Sequence, residues 1–326
     1  MNTTLKQPAC WLDLDHLPFD IREAARRAID EAKGENPEYY FGDASKFIAA
    51  GVGDGKAAFP YKCWMELDPL GMSGSQLTNE CTSWGARCNI EICRAVDIVI
   101  RNEPESYIKR QTHAVLYGGR NYRGDNGADP ITIHKNATKN GIALEQAYCG
   151  GKYDFTNYRD AHRLGIQFGG GIPSDLLAEI SGQKSEQYAV LRSPQELRDA
   201  LFNGNGIGVG HGTCTTSLGG KDGLSWLADT GRRNCAHEEC IIGYDDTRKY
   251  HKECLYVWDN SYDRQAPAAG MPEEYKHKGV FPSGAYVLTE SDTMQRVNNG
   301  VAVSNSMVKG FPVRVLPAYA TESVFS

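Results

Sequence analysis

The sequence lacks several features that would place it in a large functional class. No stretch of its 326 residues is rich in Lys and Arg, and the formal net charge is −6, which argues against a nucleic-acid-binding face. No apolar run approaches the roughly 20 residues that cross a membrane. Residues 1–17 hold one Lys, early acids and no apolar stretch, unlike a secretory signal peptide. We therefore expect a cytoplasmic or virion-associated protein with neither nucleic acid nor a membrane as partner.

Repeats, low-complexity segments and ligand-binding motifs are also missing. The Gly-rich stretch Gly204–Gly212 lacks the Lys-Ser/Thr ending of a phosphate-binding loop. Ten cysteines occur without paired Cys-x-x-Cys spacing, and without an export signal we interpret them mostly as reduced thiols. Hydrophobic residues make up 40% and charged residues 23%, which is ordinary for a globular protein long enough to form two lobes.

The first part of the chain, residues 1–75, carries no chemical motif. A capped helix is predicted from Asp20 to Gly34, and a short one from Asp43. The Gly- and Pro-rich stretch that follows predicts a loop with a strand around Tyr61–Met65. We treat residues 1–75 as an N-terminal extension.

The rest of the chain divides into a helix-rich and a strand-rich part. Residues 76–165 contain a long helix from Cys81 to near Pro104 and a helix capped by Asp129 with Pro130 at its first position. Residues 166–326 contain a short helix after Ser174, a helix capped by Ser193, and four strand-like segments: Ile207–His211, His237–Tyr244, Leu255–Asn260 and Ala285–Leu288. This order predicts an α+β protein with a helical lobe followed by a β-rich lobe.

Cys81 stands out because it begins the long amphipathic helix. Backbone N–H groups without intrahelical partners and the positive end of the helix dipole favour a thiolate there. A thiolate nucleophile needs a histidine that moves protons and a polar group that orients the histidine. His237 opens one predicted strand and Asn260 closes another, so this pair fits those roles. The plain alternative is that Cys81 is a small buried residue at a helix start.

Other interpretations of these residues stay open. Cys235, His237 and Cys240, with Cys214 or Cys254 nearby, fit a zinc site poorly because their spacing is irregular. His211 reads as a loop residue at a strand end, and we expect His113 and His134 to be ordinary helix-face residues. We expect no metal and no cofactor.

The order of these residues resembles the papain-like cysteine peptidase family. Gln76 lies five residues before Cys81, His237 is followed by Gly243-Tyr244, and Asn260-Ser261 precedes an aromatic residue. Cys81 and His237 are 156 residues apart, close to the family's range of about 130–150. The resemblance covers roughly residues 75–290 and fits prokaryotic or phage-borne relatives better than lysosomal ones. It implies a two-lobe papain-like fold with an antiparallel β-rich lobe.

The resemblance also implies roles. Cys81 attacks a peptide carbonyl, His237 protonates the leaving amine, Asn260 orients His237, and Gln76 with the Cys81 backbone N–H binds the oxyanion. Asn126 and Gly127 correspond to the segment that pairs with the substrate backbone. Tyr262 stands where the family has the Trp that shields the histidine.

Four departures from the family pattern bear on activity. Thr82 replaces the Trp after the nucleophile, Gln76 is one residue closer than usual, and Tyr262 replaces a Trp. Glu80 places a carboxylate beside the thiol, which would raise the pKa of Cys81. The alternative to a peptidase acting on polypeptides is therefore a catalytically silent papain-like fold in a larger assembly such as a virion. Compact peptidoglycan hydrolases, with Cys and His much closer together, fit less well.

Overall fold

The computed structural model describes residues 40–68, 76, 78–101, 110–120, 124–125, 127–213, 215–221, 224–229, 236–259, 271–307 and 309–321. The helices of this part of the chain are α1 (Phe41–Ala44), α2 (Tyr61–Leu67), α3 (Cys81–Arg101), α4 (His113–Gly118), α5 (Pro130–Lys139), α6 (Tyr158–Phe168), α7 (Ser174–Ile180), α8 (Pro194–Phe202) and α9 (Glu290–Asn298). The strands are β1 (Ala57–Ala58), β2 (Ala147–Tyr148), β3 (Tyr153–Asp154), β4 (Gln187–Leu191), β5 (Ile207–His211), β6 (Thr215–Lys221), β7 (Leu224–Asp229), β8 (His237–Asp245), β9 (Leu255–Asp259), β10 (Tyr286–Thr289) and β11 (Val301–Ser306).

One large sheet organises the second half of the described chain. Its strands follow the order β4-β11-β5-β8-β9-β10-β7-β6, and β1 pairs with β8. Every pairing in it is antiparallel except β10 with β7. Strand β8 lies at the centre of the sheet and is buried along its whole length. Its first residues pair with β5, and its pairing with β9 begins at Cys240. The predicted α+β arrangement is confirmed.

Residues 40–68 belong to the main hydrophobic core. Phe41, Phe59 and Trp64 pack there with residues of the large sheet. The predicted strand around Tyr61–Met65 is wrong, because this segment forms α2 after Pro60. Five successive residues of α2 are buried, from Tyr61 to Met65, so the segment has no one-sided periodicity that would identify a helix from the sequence.

The helical part packs around α3. Ala86 and Ile90 of α3 share one cluster with residues of α4 and α5, while α4, α6 and α7 form a second cluster with the β2-β3 ribbon. Seventeen of the 21 residues of α3 are buried, so this helix lies between the helical layer and the sheet. Within the described residues no helix is both long enough and apolar enough to span a membrane.

Candidate active site

Helix α3 begins at Cys81, as the sequence predicts. The Glu80 carbonyl accepts the first backbone bonds, from Ser83 N at 2.9 Å and Trp84 N at 3.1 Å. Cys81 therefore lies in the first turn, where the helix dipole stabilises negative charge. The side chain of Cys81 is fully buried.

Helix α3 and strand β8 pack in a defined register. Gly85 has no side chain where the Glu238 carboxylate approaches, and a Cβ atom built there would lie 2.6 Å from Glu238 Oε1. Further along both elements, the thiols of Cys88 and Cys240 form a side-chain hydrogen bond. From the first contact (Gly85 with Glu238) to the second (Cys88 with Cys240), the residue numbers increase in both elements. The helix and the strand therefore run in the same direction.

This register fixes the height of Cys81 relative to β8. Cys81 precedes Gly85 by four residues, which corresponds to about 6 Å along a helix. The same distance is about two residues of a strand, since each rises about 3.3 Å. Counting back from Glu238 sets Cys81 level with residues 236 and 237. The nucleophile candidate and the histidine candidate thus lie at the same end of the helix–strand pair, and direct contact between the sulfur and the imidazole stays a prediction.

His237 lies beside a second buried histidine. In the β5-β8 ladder His211 pairs with His237, and the two ring centroids are 6.2 Å apart at 79°. The predicted strand Ile207–His211 is confirmed as β5, and His211 is its last residue and is 1% exposed. His211 therefore lies at the strand end as expected, but in the strand and not in a loop.

Hydrogen bonds define the protonation of His211. Thr213 N donates to Nδ1 at 3.3 Å, while Nε2 lies 2.7 Å from Glu239 Oε2. Nδ1 is therefore an acceptor and the proton sits on Nε2, which makes the ring neutral. Burial and the nearby Arg296 charge lower the pKa of His211 to about 4, against the opposing pull of Glu239. A neutral imidazole next to His237 adds no charge that would oppose protonation of His237.

The carboxylate before the nucleophile has two histidine neighbours. Glu80 is fully buried, and His113 Nε2 lies 2.9 Å from its Oε2 while His162 Nδ1 lies 2.5 Å from its Oε1. Burial raises the pKa of Glu80, but His113 and His162 outweigh it and bring the pKa to about 2. Glu80 is thus paired with His162, whose pKa is raised, and this pairing weakens the expected influence of the carboxylate on Cys81.

Gln76 is buried close to the start of α3. Its Nε2 donates to the Thr78 carbonyl at 2.5 Å, and a side-chain amide has two N–H donors. Gly127 is described, and its N–H donates to the Tyr117 hydroxyl at 3.3 Å. The other predicted site residues, Asn126, Asn260 and Tyr262, lie outside the described residues.

Two histidines that we expected on helix faces take part in buried polar contacts. His113 begins α4 and stacks on Trp84, with ring centroids 5.6 Å apart. His134 Nε2 lies 3.2 Å from Glu238 Oε1, and its Nδ1 contacts Asn305. Trp84 and Glu238 are far in the sequence from the histidines that they contact, so no local sequence pattern predicts these contacts.

The cysteines and histidines considered for zinc do not form a metal site in the described part of the chain. Among the residues that the structure describes, no three His, Cys, Asp or Glu side chains converge on a point that would hold a metal ion. Of the cysteines considered for zinc, Cys240 instead contacts Cys88, and Cys214 and Cys235 lie outside the described residues.

Comparison with known proteins identifies the fold. Xylellain, a cysteine protease from Xylella fastidiosa, superimposes with a TM-score of 0.51 at 14% identity, covering 78% of this chain and 86% of that chain. This chain has a papain-like fold. Procathepsin B S9 from Trypanosoma congolense (TM-score 0.48, 10% identity, 77% and 76% covered) and the proform of the ragweed pollen cysteine protease Amb a 11 (0.47, 13%, 88% and 87%) are also similar. No family model and no curated protein sequence matches the chain.

Proposed function

We propose that this chain is a cysteine peptidase that hydrolyses peptide bonds of a polypeptide substrate through Cys81. The observation that supports the proposal is the register of α3 against β8, which sets Cys81 level with residues 236 and 237. The papain-like fold supports it as a framework, although a fold alone does not determine an activity.

The reaction follows the roles implied by the family resemblance. The Cys81 thiolate attacks the peptide carbonyl, and the oxyanion is bound by the Cys81 N–H and the Gln76 amide. His237 then protonates the leaving amine, and the carbon–nitrogen bond breaks to leave a thioester. Water, deprotonated by His237, releases the acyl group and restores the thiol. Asn260 orients the imidazole in this scheme.

The electrostatics of the helix start suit this chemistry. The positive end of the α3 dipole favours the thiolate, and the buried Glu80 carboxylate before Cys81 is paired with His162. Neutral His211 adds no positive charge beside His237, which carries the positive charge of a thiolate–imidazolium pair in this scheme.

A peptidyl epoxide tests the proposal, because such a probe reacts with a thiolate that a peptide-binding site presents to it. We expect mass spectrometry to find the adduct on Cys81 of the wild-type protein, and the adduct to disappear in His237→Ala. His251→Ala, which replaces a partly exposed histidine, serves as the matched control and should label like the wild type.

Folded wild-type protein in which Cys81 does not react with the peptidyl epoxide would contradict the proposal. That result would favour the alternative of a papain-like fold that serves as a binding or structural component. A circular dichroism spectrum of each variant separates loss of labelling from loss of folding.

A further inference from the structure

His162 of α6 lies between two carboxylates from different parts of the chain. Its Nδ1 is 2.5 Å from Glu80 Oε1, and its Nε2 is 3.3 Å from Asp125 Oδ2. The imidazole ring stacks on Tyr117 with the centroids 6.2 Å apart. One side chain thus contacts segments that are 45 residues apart in sequence, counted from Glu80 to Asp125.

Each carboxylate belongs to a segment that the proposed mechanism uses. Glu80 directly precedes Cys81, and Asp125 directly precedes Asn126 and Gly127, the predicted substrate-pairing residues. We call Gln76 and residues 78–80 the nucleophile loop, and residues 124–125 with Gly127 the substrate loop.

Three further hydrogen bonds hold these loops in place. Asn79 Nδ2 donates to the Asp125 carbonyl at 2.8 Å, so the nucleophile loop also binds the substrate loop directly. Tyr117 OH donates to Asp125 Oδ1 at 2.8 Å and accepts from Gly127 N at 3.3 Å, which fixes the substrate loop on α4.

The contacts of His162 require its charged form. A neutral imidazole has one N–H, so it donates to one carboxylate only, whereas the imidazolium donates to both. Charge-assisted hydrogen bonds of this type are the stronger ones. In keeping with this geometry, burial lowers the pKa of His162, but Asp125 and Glu80 outweigh it and bring the pKa to about 9.

We propose that His162 is a positioning residue which, as an imidazolium, holds the nucleophile loop and the substrate loop at a fixed separation through Glu80 and Asp125. The effect on catalysis rests on the proposed peptidase function, whereas the connection between the two loops is a property of the fold. Loss of the proton or of the imidazole lets the loops separate, so a bound peptide is no longer aligned with Cys81.

Other polar groups around this cluster set its charge. His113 on α4 lies 2.9 Å from Glu80, and the Thr78 hydroxyl donates to the same carboxylate at 3.1 Å. From α6 itself, Tyr158 OH lies 3.4 Å from Glu80 Oε2. The side chain of His162 is 13% exposed, so solvent protons reach it.

Hydrogen–deuterium exchange tests the connection without any enzymatic activity. We compare the wild type and His162→Gln at the same pH. In His162→Gln we expect faster exchange in the peptides that cover residues 78–80 and in those that cover residues 124–127, because the glutamine side chain carries no charge and cannot hold both carboxylates. Asp125→Asn changes only one side of the contact and should increase exchange in the same two segments. This variant replaces His162→Gln in the test if His162→Gln folds poorly. Unchanged exchange in both loops of a folded variant would overturn the proposal.

Labelling kinetics test the consequence for catalysis. The rate at which a peptidyl epoxide labels Cys81 depends on both loops, because they align the peptide part of the probe. The rate of labelling by iodoacetamide depends on the thiolate alone. We expect the ratio of the two rates at Cys81 to fall by about ten- to a hundredfold in His162→Gln, since small misplacements cost rates of this order. In the wild type the ratio should also fall as the pH rises through about 9, and in His162→Gln it should be independent of pH.

His277→Gln is the matched control, because His277 Nε2 also pairs with a glutamate, 2.7 Å from Glu66 Oε2, but touches neither loop. Its exchange and its rate ratio should equal those of the wild type. A His162→Gln ratio equal to that of the wild type would overturn the positioning role. If wild-type Cys81 reacts with iodoacetamide but not with the epoxide, the proposed function fails, and the exchange experiment still decides whether His162 connects the loops.

Discussion

Glu239 Oε2 accepts from two buried side chains at once: His211 Nε2 and Arg296 Nη1 each lie 2.7 Å away. Arg296 also donates to the Tyr286 hydroxyl at 2.7 Å and lies over the Trp258 ring, 4.9 Å from its centroid. The pKa of Glu239 is raised by burial, but Arg296 and His211 outweigh that effect and bring it to about 2. The carboxylate therefore carries a full negative charge beside the strand position of His237.

Glu239→Gln should destabilise the fold strongly. The substitution leaves the guanidinium of Arg296 buried without a counter-charge, and breaking such a pair costs about 3–5 kcal/mol of unfolding free energy. Urea denaturation followed by circular dichroism measures the loss. Glu273→Gln, in an exposed pair with Lys276, is the control and should show no measurable change. A loss for Glu239→Gln as small as that of the control would contradict a charged Glu239.

Gly85→Ala tests the close approach of α3 to β8. Alanine favours a helix by about 1 kcal/mol over glycine, so the isolated helix would gain. Here the new Cβ would lie 2.6 Å from Glu238 Oε1 and 2.7 Å from Glu238 Cγ, so the buried Glu238 side chain must shift away from its contact with His134. We expect a lower melting temperature and slower labelling of Cys81 by a peptidyl epoxide. Gly182→Ala, where no atom lies within 4 Å of the added Cβ, should change neither. Equal melting temperatures for both variants would show that the contact is looser than described.

Local signals in the sequence predicted the elements that carry their own caps. Asp129 accepts from Thr132 N at the start of α5, and Ser193 accepts from Glu196 N at the start of α8. Both helices begin with Pro at the predicted position, because Pro tolerates the first helical turn. The strand predicted from His237 to Tyr244 is confirmed as well. These features depend on neighbours within a few residues, which one sequence displays.

Contacts between residues far apart in the sequence could not be predicted from such local signals. His162 meets Glu80 across 82 residues, and His134 meets Glu238 across 104. The strand Val301–Ser306 was missed, since the alternation in Val-Ala-Val-Ser-Asn-Ser is weak and its buried polar residues are satisfied by contacts from afar. The assignment of catalytic roles to Cys81 and His237 stays a prediction, as do the division of the chain at residues 75 and 165 and membership of a larger assembly.

Apart from Cys81, the proposed nucleophile, the described cysteines should differ in thiol reactivity according to their burial. Cys149 is partly exposed, whereas Cys63, Cys88, Cys93, Cys240 and Cys254 are buried. Burial raises the pKa of Cys63 to about 12 and also raises the pKa of the other four, which keeps these thiols protonated at pH 8. Brief treatment with iodoacetamide should therefore modify Cys149 long before these five, as read by peptide mapping. The same treatment in guanidinium chloride is the control and should modify all ten cysteines. Modification of Cys63 as fast as Cys149 in the native protein would contradict the burial.

The difference in unfolding free energy between the wild type and His162→Gln should depend on pH in a defined way. The pKa of His162 is raised from its ordinary value near 6.5 to about 9, so its contribution is complete below pH 6.5 and is lost as the pH rises through 9. The pKa of Glu80 is lowered from near 4.5 to about 2, so the contribution of the pair also disappears as the pH falls from 4.5 toward 2. Urea denaturation of both proteins from pH 3 to pH 10 should give a difference that is largest between pH 4.5 and 6.5. A difference that stays constant from pH 6.5 to 10 would mean that His162 is neutral in the folded protein, and it would then donate to only one of the two carboxylates.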